Sequence, residues 1–287
     1  MKVAVLGLGI MGQGVAGVLL REGFEVAVWN RSSGKADALA AEGATVASTP
    51  GEAVDGAEVV LSILFDADSV LSVLGEAAGS VAGGAVWLQA STIGLDGTAR
   101  VAHLAESQGV GLVDAMMLGT KKPAETGALV MLVSGDASLV EKARPVLDAM
   151  GSKTVVAGDR VGNATALKLA ANAWVASVTA ATAQSLALAG ALGLDASLFL
   201  DAIEGGASDT PYAHVKGAAM LAREYPTSFA LDGLRKDVGL IAEAAHSSGV
   251  DATVLEALRT VYARASSNGF GGDDIAAVYE GFRPASS

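Results

Sequence analysis

A glycine pattern close to the start of the chain constrains the fold more than any other feature. The run Gly7-Leu8-Gly9-Ile10-Met11-Gly12 follows the apolar segment Val3–Leu6 and opens a segment of helical length. In such a strand-turn-helix context, the first glycine permits a tight turn, the second lets the backbone approach a pyrophosphate, and the third lets the helix pack closely. The helix N-terminus adds N–H groups and partial positive charge. We therefore expect these six residues to bind a dinucleotide; a glycine turn in a fold without a nucleotide is the alternative.

The end of the next apolar run, Glu25–Trp29, indicates which dinucleotide. NAD sites usually place an acidic residue there to bind the ribose 2′-hydroxyl, and that residue repels a 2′-phosphate. This chain instead carries Asn30, Arg31, Ser32 and Ser33, with Lys35 nearby. A guanidinium pairs with phosphate and hydroxyls donate to it. The sequence predicts NADP(H), held by Asn30, Arg31, Ser32 and Lys35, with a solvated turn as the alternative.

The pattern of apolar runs predicts the fold class. Up to about residue 158, short β-branched runs alternate with stretches of helical length, which is typical of a doubly wound, largely parallel sheet. The runs are Val3–Leu6, Glu25–Trp29, Val59–Leu64, Ala85–Gln89, Gly111–Val113, Val130–Ser134 and Lys153–Val156. After Asn163 only helical patterns remain. We predict an α/β protein in which a Rossmann domain (1–160) binds NADP and an all-helical domain (161–287) serves substrate binding and dimerisation.

Composition excludes several functions. The formal net charge of −12 and the absence of any Lys/Arg-rich run argue against nucleic acid as a partner. With no cysteine, the chain has no disulfide, thiolate metal site or cysteine nucleophile, which fits a reducing compartment. No cluster of side chains has the spacing of metal ligands, so we expect no metal. The cytoplasm is the expected location.

Two long apolar segments resemble export or membrane signals. The first, Val3–Leu20, contains too many glycines for a signal peptide and is followed by Arg21 rather than a cleavage site. The second, Leu169–Leu194, has no charge but many polar side chains, which favours a long packed helix over a membrane span. Its apolar surface predicts a homodimer or homotetramer.

Lys168 is the strongest candidate for acid–base chemistry. It is the only charged residue between Arg160 and Asp195, and Asn172 lies one helical turn further along the same face. Desolvation lowers the pKa of a lysine and makes it a competent general acid near neutral pH. The alternative is a side chain that extends to solvent from a helix end. The three histidines, His103, His214 and His246, have no apparent catalytic partner in the sequence.

Four sequence blocks in order resemble the β-hydroxyacid dehydrogenase family, which includes 3-hydroxyisobutyrate dehydrogenases and glyoxylate/succinic semialdehyde reductases. The blocks are Gly7–Gly12, Asn30-Arg31, Gly162 with Lys168 and Asn172, and Phe229 with Leu231, Leu234, Lys236 and Asp237. The resemblance spans essentially the full chain. It implies hydride transfer between a nicotinamide and a small carbonyl or hydroxy-acid substrate, with Lys168 as general acid/base, Asn172 beside it and Lys236 near the cofactor.

Two departures from the family pattern affect the substrate. The Asp-x-Ser-Thr stretch is Gln89–Thr92 here, which keeps Ser91 but loses the acid. The motif Asp-Ala-Pro-Val-Ser-Gly-Gly is Asp114–Thr120 here, so that Leu118 replaces the serine and Thr120 the second glycine. We expect Ser91, also a candidate catalytic residue, and the backbone of Leu118, Gly119 and Thr120 to position the substrate. Thr120, Lys121 and Lys122 can supply anion contacts, whereas Met116, Met117 and Leu118 suit an apolar substrate.

Two other functions stay open. Imine reductases share this architecture and have an apolar pocket, but commonly carry Asp or Tyr at the position of Lys168, so the lysine favours carbonyl chemistry. A dinucleotide-binding sensor without turnover would keep the glycine loop and Arg31 but would not need Lys168.

Overall fold

The β-branched runs of the first half of the chain pair into one eight-stranded sheet. In the computed structural model, which describes residues 1–32 and 34–282, the strands are β1 (Lys2–Leu6), β2 (Glu25–Trp29), β3 (Thr45–Val46), β4 (Val59–Ser62), β5 (Val86–Gln89), β6 (Gly111–Leu118), β7 (Leu129–Ser134) and β8 (Gly151–Gly158). Their order is β3-β2-β1-β4-β5-β6-β7-β8, and every neighbouring pair is parallel except β6 and β7. The predicted doubly wound, largely parallel sheet is confirmed.

Helices cover both faces of this sheet because successive residues of the central strands are apolar, which makes both faces apolar. Val3 and Val5 pack in a cluster with the first and last of these helices, while Ala4 and Leu6 pack in a second cluster on the opposite face. The helices are α1 (Ile10–Arg21), α2 (Asp37–Ala41), α3 (Pro50–Val54), α4 (Ala67–Ala77), α5 (Gly94–Ser107), α6 (Lys121–Thr126) and α7 (Ala137–Met150).

Strand β6 differs most from its predicted extent. The sequence predicted Gly111–Val113, whereas the strand continues through Leu118. Its first half pairs parallel with β5, and its second half pairs antiparallel with β7, from Asp114 opposite Ser134 to Leu118 opposite Val130. The carboxylate of Asp114 interrupts the apolar run in the sequence and hides this extension. The short strand β3 was not predicted, since two residues give no pattern.

After β8, every remaining labelled element is helical, as predicted for this part of the chain. The helices are α8 (Asn163–Ala191), α9 (Leu198–Ile203), α10 (Pro211–Ala222), α11 (Leu231–Ser248) and α12 (Thr253–Ala265), followed by a 3₁₀ segment, Ile275–Gly281. Their apolar faces form a core of their own around the buried ring of Tyr262. Within residues 1–32 and 34–282, no helix has the length and apolar character needed to cross a membrane.

The chain divides into two compact units inside α8, with Met1–Lys168 as the first unit and Leu169 as the start of the second. The boundary predicted between 160 and 161 lies in the loop that precedes this helix. The first turns of α8 belong to the sheet unit because Ala164 packs against Met116 and Leu132 of the sheet. Lys168 is thereby part of the first unit.

Candidate active site

The carboxyl ends of the parallel strands gather most of the predicted site residues at one edge of the first unit. Strand β1 leads into the glycine loop, β5 into Ser91, and β6 into Gly119 and Thr120. Because β1, β4, β5 and β6 run in the same direction, the residues that follow them lie at the same edge. The strand order reverses between β1 and β4, and dinucleotides bind at such switch points in open α/β sheets.

The three glycines of the loop have different surroundings. Gly7 has a φ of +103°, and a Cβ there would overlap the carbonyl oxygen of Ile63. A Cβ on Gly12 would overlap the carbonyl oxygen of Gly7, so this glycine lets α1 pack against the turn. Apart from its neighbours in the chain, a Cβ on Gly9 would meet no atom of the described residues within 4 Å. The loop therefore leaves open space beside the Gly9 backbone, where α1 begins, and this cradle fits a pyrophosphate.

The residues predicted to select the cofactor fall into two groups. Asn30 links the end of β2 to the glycine loop, since its Oδ1 accepts from the Leu8 N–H at 2.9 Å and its Nδ2 donates to the Ser32 carbonyl at 3.0 Å. Arg31, Ser32 and Lys35 are exposed, and Lys35 lines a groove of about 490 Å³ together with Leu8, Gly9 and Ile10. Ser33 lies outside the described residues. The two hydrogen bonds of Asn30 hold the glycine loop at the end of β2. A direct contact from Asn30 to the cofactor stays a prediction.

The Gln89 side chain hydrogen-bonds to the backbone of Ser91. Its Oε1 accepts from the Ser91 N–H at 2.7 Å and its Nε2 donates to the Ser91 carbonyl at 2.8 Å, a pair of bonds that a carboxylate could not make. The Ser91 hydroxyl accepts from the Leu64 N–H at 2.8 Å and donates to the Ser62 carbonyl at 3.2 Å. Ser91 is buried, and its hydroxyl ties the ends of β4 and β5 together. A role for Ser91 in substrate binding or catalysis stays a prediction.

The segment after β6 differs from the expected apolar lining. Met116 and Met117 are buried in hydrophobic clusters on opposite faces of the sheet, so their side chains belong to the core. Leu118 is half-buried, Gly119 is exposed with a φ of +135°, and Thr120 precedes α6 without capping it through its side chain. Of the apolar candidates, Leu118 alone keeps partial exposure.

Lys168 is buried rather than extended to solvent. Its exposed fraction is 9%, and its Nζ donates to the Met117 carbonyl at 2.7 Å. Met117 is the second-to-last residue of β6. The alternative of a side chain that reaches solvent from a helix end is therefore wrong. The geometry fixes an ammonium at the end of β6, in the same unit as the glycine loop.

Within the second unit, Asn172 belongs to a buried polar cluster. Its Nδ2 donates to Asp237 Oδ2 at 2.8 Å, and Lys236 Nζ lies 3.1 Å from Asp237 Oδ1. Asp237 is buried and joins both predicted site residues of this unit. Asn172 stands one turn after Lys168 on α8, as its spacing predicted. The cofactor contact of Lys236 stays a prediction.

The three histidines lie in different parts of the fold. His103 lies within α5, and His246 is in the last turn of α11, 4.0 Å from Glu256. His214 has a partner that the sequence did not reveal, because its Nε2 lies 2.7 Å from Asp209 Oδ1. Among residues 1–32 and 34–282, no group of three or more His, Cys, Asp or Glu side chains could hold a metal ion.

No role was predicted for Asp114 from the sequence. In the structure, its side chain extends from β6 to the start of α8. Its carboxylate has an exposed fraction of 0% and accepts from the backbone N–H groups of Gly162 and Thr165. Burial raises the pKa of this carboxyl, while the hydrogen bonds from Thr165, Gly162 and Ser134 oppose that rise. The signal in the sequence was a single carboxylate inside the apolar run Gly111–Leu118.

Comparison with known proteins agrees with this geometry. Residues 2–158 match the family model of the NAD binding domain of 6-phosphogluconate dehydrogenase, and residues 162–282 match the model described as NAD-binding of NADP-dependent 3-hydroxyisobutyrate dehydrogenase. Glyoxylate/succinic semialdehyde reductase 1 of Arabidopsis thaliana is 33% identical to the chain, over 98% of each sequence. The chain belongs to the β-hydroxyacid dehydrogenase family.

Solved structures support the assignment to the β-hydroxyacid dehydrogenases. The 3-hydroxyisobutyrate dehydrogenase of Mycobacterium tuberculosis, solved with L-serine, is 28% identical and superposes with a TM-score of 0.89 over 99% of each chain. An imine reductase of Streptomyces aurantiacus is 26% identical, with a TM-score of 0.65 over 99% of this chain and 100% of the other. The protein is an oxidoreductase that uses a nicotinamide cofactor.

Because Gly9 and Gly12 have different surroundings, a methyl group added at Gly9 should weaken cofactor binding, whereas one added at Gly12 should lower stability. Gly9→Ala should fold normally, because its Cβ meets no atom, but should weaken NADPH binding by about tenfold or more, or ~1.4 kcal/mol, by crowding the phosphates. Gly12→Ala should lower stability by about 1–3 kcal/mol through overpacking against Gly7. Thermal unfolding and titration of NADPH fluorescence measure the two effects. Unchanged NADPH affinity in Gly9→Ala would contradict the proposed cradle.

Proposed function

We propose that the protein is an NADP(H)-dependent reductase of small carbonyl compounds, and a dehydrogenase of the corresponding hydroxy acids, with Lys168 as the general acid/base. One observation carries the proposal. The buried Lys168 ammonium is held at the Met117 carbonyl, directly before the exposed segment at Gly119 and at the sheet edge where the glycine loop lies. An ammonium in this setting suits proton donation to an oxygen that gains negative charge.

The chemistry requires one hydride and one proton. When bound, the reduced nicotinamide supplies the hydride to the carbonyl carbon. As the carbon–oxygen π bond breaks, negative charge develops on the oxygen, and Lys168 Nζ donates a proton to it, which leaves a neutral amine and an alcohol. The bond to the Met117 carbonyl occupies one of the three N–H groups of the ammonium and orients Nζ. In the oxidising direction the neutral amine accepts the proton.

Other residues of the chain bind the cofactor and the substrate. The backbone of Gly7–Gly12 holds the pyrophosphate, and Asn30 keeps this loop in place through its bond to Leu8. Asn172, one turn after Lys168 on α8, hydrogen-bonds the substrate or orients the lysine. Gly119 and Thr120 contact the substrate after β6, where the Thr120 hydroxyl, which does not cap α6, is suited to bind a carboxylate.

The similarity to a plant glyoxylate/succinic semialdehyde reductase supports a short aldehyde or keto acid as substrate. Leu118 stands where the family pattern has a serine, and its half-buried side chain favours a substrate with some apolar surface. The same leucine supports the second candidate, imine reduction, together with the likeness to an imine reductase. A binding protein without turnover is the third candidate. The proposed location is the cytoplasm, which the lack of cysteine supports.

Lys168→Met tests the proposed acid most directly. With NADPH and a panel of glyoxylate, succinic semialdehyde, small keto acids and cyclic imines, the wild type should reduce aldehydes or keto acids, and the variant should lose about 10²–10⁴-fold in kcat. Lys153→Met, at an exposed position on β8, is the matched control and should keep full activity. Turnover of imines alone, or activity indifferent to Lys168, would overturn the assignment. Stopped-flow measurement of NADPH oxidation provides both readouts.

The cofactor preference rests on the exposed cations after β2. Arg31→Ala should raise the KM for NADPH by about tenfold or more, because a charge-assisted bond to the 2′-phosphate contributes ~1.5–3 kcal/mol. The KM for NADH should stay unchanged, since NADH lacks this phosphate. Steady-state kinetics with both cofactors checks the prediction. An equal effect on NADPH and NADH would contradict phosphate recognition by Arg31.

We further propose a homodimer or homotetramer that buries the uncharged surface of α8. Trp174 on this helix is 64% exposed, and Leu188 is also exposed further along it. Trp174→Glu should therefore shift the protein to a smaller species, because a carboxylate in an apolar interface is costly. Light scattering after size-exclusion chromatography measures the mass. The control Val250→Glu, also at an exposed apolar position, should leave the mass unchanged, and a Trp174→Glu variant of wild-type mass would refute the interface.

A further inference from the structure

The amino terminus of α8 is capped by a side chain from the middle of the sheet. Asp114 Oδ2 accepts from the Gly162 N–H at 3.0 Å and from the Thr165 N–H at 2.8 Å, and its Oδ1 accepts from the Thr165 hydroxyl at 3.0 Å. Helix caps usually come from the residue that precedes the helix. Here the cap comes from β6, so the helix is fixed to the strand rather than only terminated.

The residue opposite Asp114 in the sheet completes this cap. Ser134 of β7 pairs with Asp114 in the antiparallel register, and its hydroxyl accepts from the Ala164 N–H at 2.9 Å. The Ser134 hydroxyl also lies 3.5 Å from Asp114 Oδ2. Two neighbouring strands therefore satisfy N–H groups in the first turn of α8, which ordinarily lack partners within the helix.

A buried carboxylate at this position matches the electrostatics of the helix. Asp114 is entirely buried, and an unpaired carboxylate there would be strongly unfavourable. The helix N-terminus carries partial positive charge, and the N–H groups point at the carboxylate. Thr165 is also held from the other side, because its hydroxyl lies 3.1 Å from that of Thr98 on α5. The contacts set both the rotation of α8 about its axis and its position along that axis.

The same strand also holds Lys168. Its Nζ bonds to the Met117 carbonyl, so hydrogen bonds join α8 to β6 both at Asp114, near the start of the helix, and at Met117, further along the strand. The two points on β6 are about 10 Å apart along the strand. A helix capped at the first point can place the lysine at the second only if its rotation and position are correct.

We propose that Asp114, supported by Ser134, is a positioning residue that sets the location of the Lys168 amine for proton transfer. This inference rests on the proposed function of Lys168. Asp114 does not touch the reacting atoms; it acts through α8. A misplacement of about 1 Å at a reacting group can cost ~10²-fold in rate, so a small shift of this helix has a measurable effect on turnover.

The test compares Asp114→Asn and Ser134→Ala with a control that loses a different cap. Thr49→Ala removes the hydroxyl that accepts from the Glu52 N–H at the start of α3. Asp114→Asn keeps the size of the side chain and one acceptor oxygen. We expect kcat to fall by about 10- to 100-fold in Asp114→Asn. KM and the NADPH dissociation constant should change by less than about twofold, because uniform binding is retained.

A second readout follows the lysine without any turnover. Reductive methylation with formaldehyde and borohydride reagent, followed by peptide mass spectrometry, gives the labelling rate of the Lys168 amine. We expect this rate to rise severalfold in Asp114→Asn and in Ser134→Ala, because the amine is no longer held at Met117. In Thr49→Ala, the thermal midpoint should fall while kcat and the Lys168 labelling rate stay at wild-type values.

The outcomes separate the two claims. If Lys168→Met abolishes turnover but a folded Asp114→Asn variant keeps wild-type kcat and a wild-type labelling rate, the positioning role of Asp114 is overturned. Full activity of Lys168→Met would overturn the proposed function, and the labelling rate would still test the positioning. If Asp114→Asn does not fold, Thr165→Val, which preserves volume and removes the hydroxyl bond to Asp114, takes its place with the same expected changes. Unchanged labelling in both Thr165→Val and Ser134→Ala would then refute the inference.

Discussion

The contact between the Asp114 carboxylate and the first turn of α8 is the interaction on which the arrangement of the first unit depends. It joins a residue in the middle of a buried strand to the start of a helix of 29 residues. A carboxylate in this position is tolerated because backbone N–H groups and a hydroxyl surround it. In the orientation of the helix that satisfies this carboxylate, Lys168 reaches the carbonyl of Met117.

The glycine loop lies at the same edge of the sheet and is formed independently of the Asp114 contact. The glycine loop needs no charged side chain, because the turn at Gly7, the close packing at Gly12 and the open backbone at Gly9 already form a cradle. Asn30 connects this cradle to the end of β2, where the exposed cations lie. The glycine loop and Lys168 therefore lie on different elements, and substitutions in one should leave the geometry of the other intact.

Local patterns were sufficient to predict much of this protein. The strand before Gly7 and the helix after it follow from apolar runs and glycine spacing, and β2 coincides with the predicted segment Glu25–Trp29. These elements obey rules that act over a few residues. The stretch from Asp114 to Leu118 was missed, because a polar side chain within a strand is explained only by a helix that begins at Asn163.

Side-chain partners could not be predicted for the same reason. Gln89 stands where the family pattern has an acid, and its bonds to both backbone groups of Ser91 were not predicted. Met117 looked like a lining of an apolar pocket, yet its side chain is in the core and its carbonyl binds Lys168. Whether Lys168 was buried or exposed depended on a contact across 51 positions of the chain, which spacing along one helix does not reveal.

The central claim is that the Lys168 amine delivers the proton to a substrate oxygen at the end of β6. A crystal structure of the protein with NADP⁺ and an unreactive hydroxy-acid analogue tests this claim most directly. Lys168 Nζ should then lie within about 2.6–3.2 Å of the analogue's hydroxyl oxygen, the distance of a hydrogen bond in proton transfer. A fully occupied analogue whose hydroxyl is bound to another proton donor, with Lys168 Nζ out of hydrogen-bond reach of it, would contradict proton transfer from this lysine.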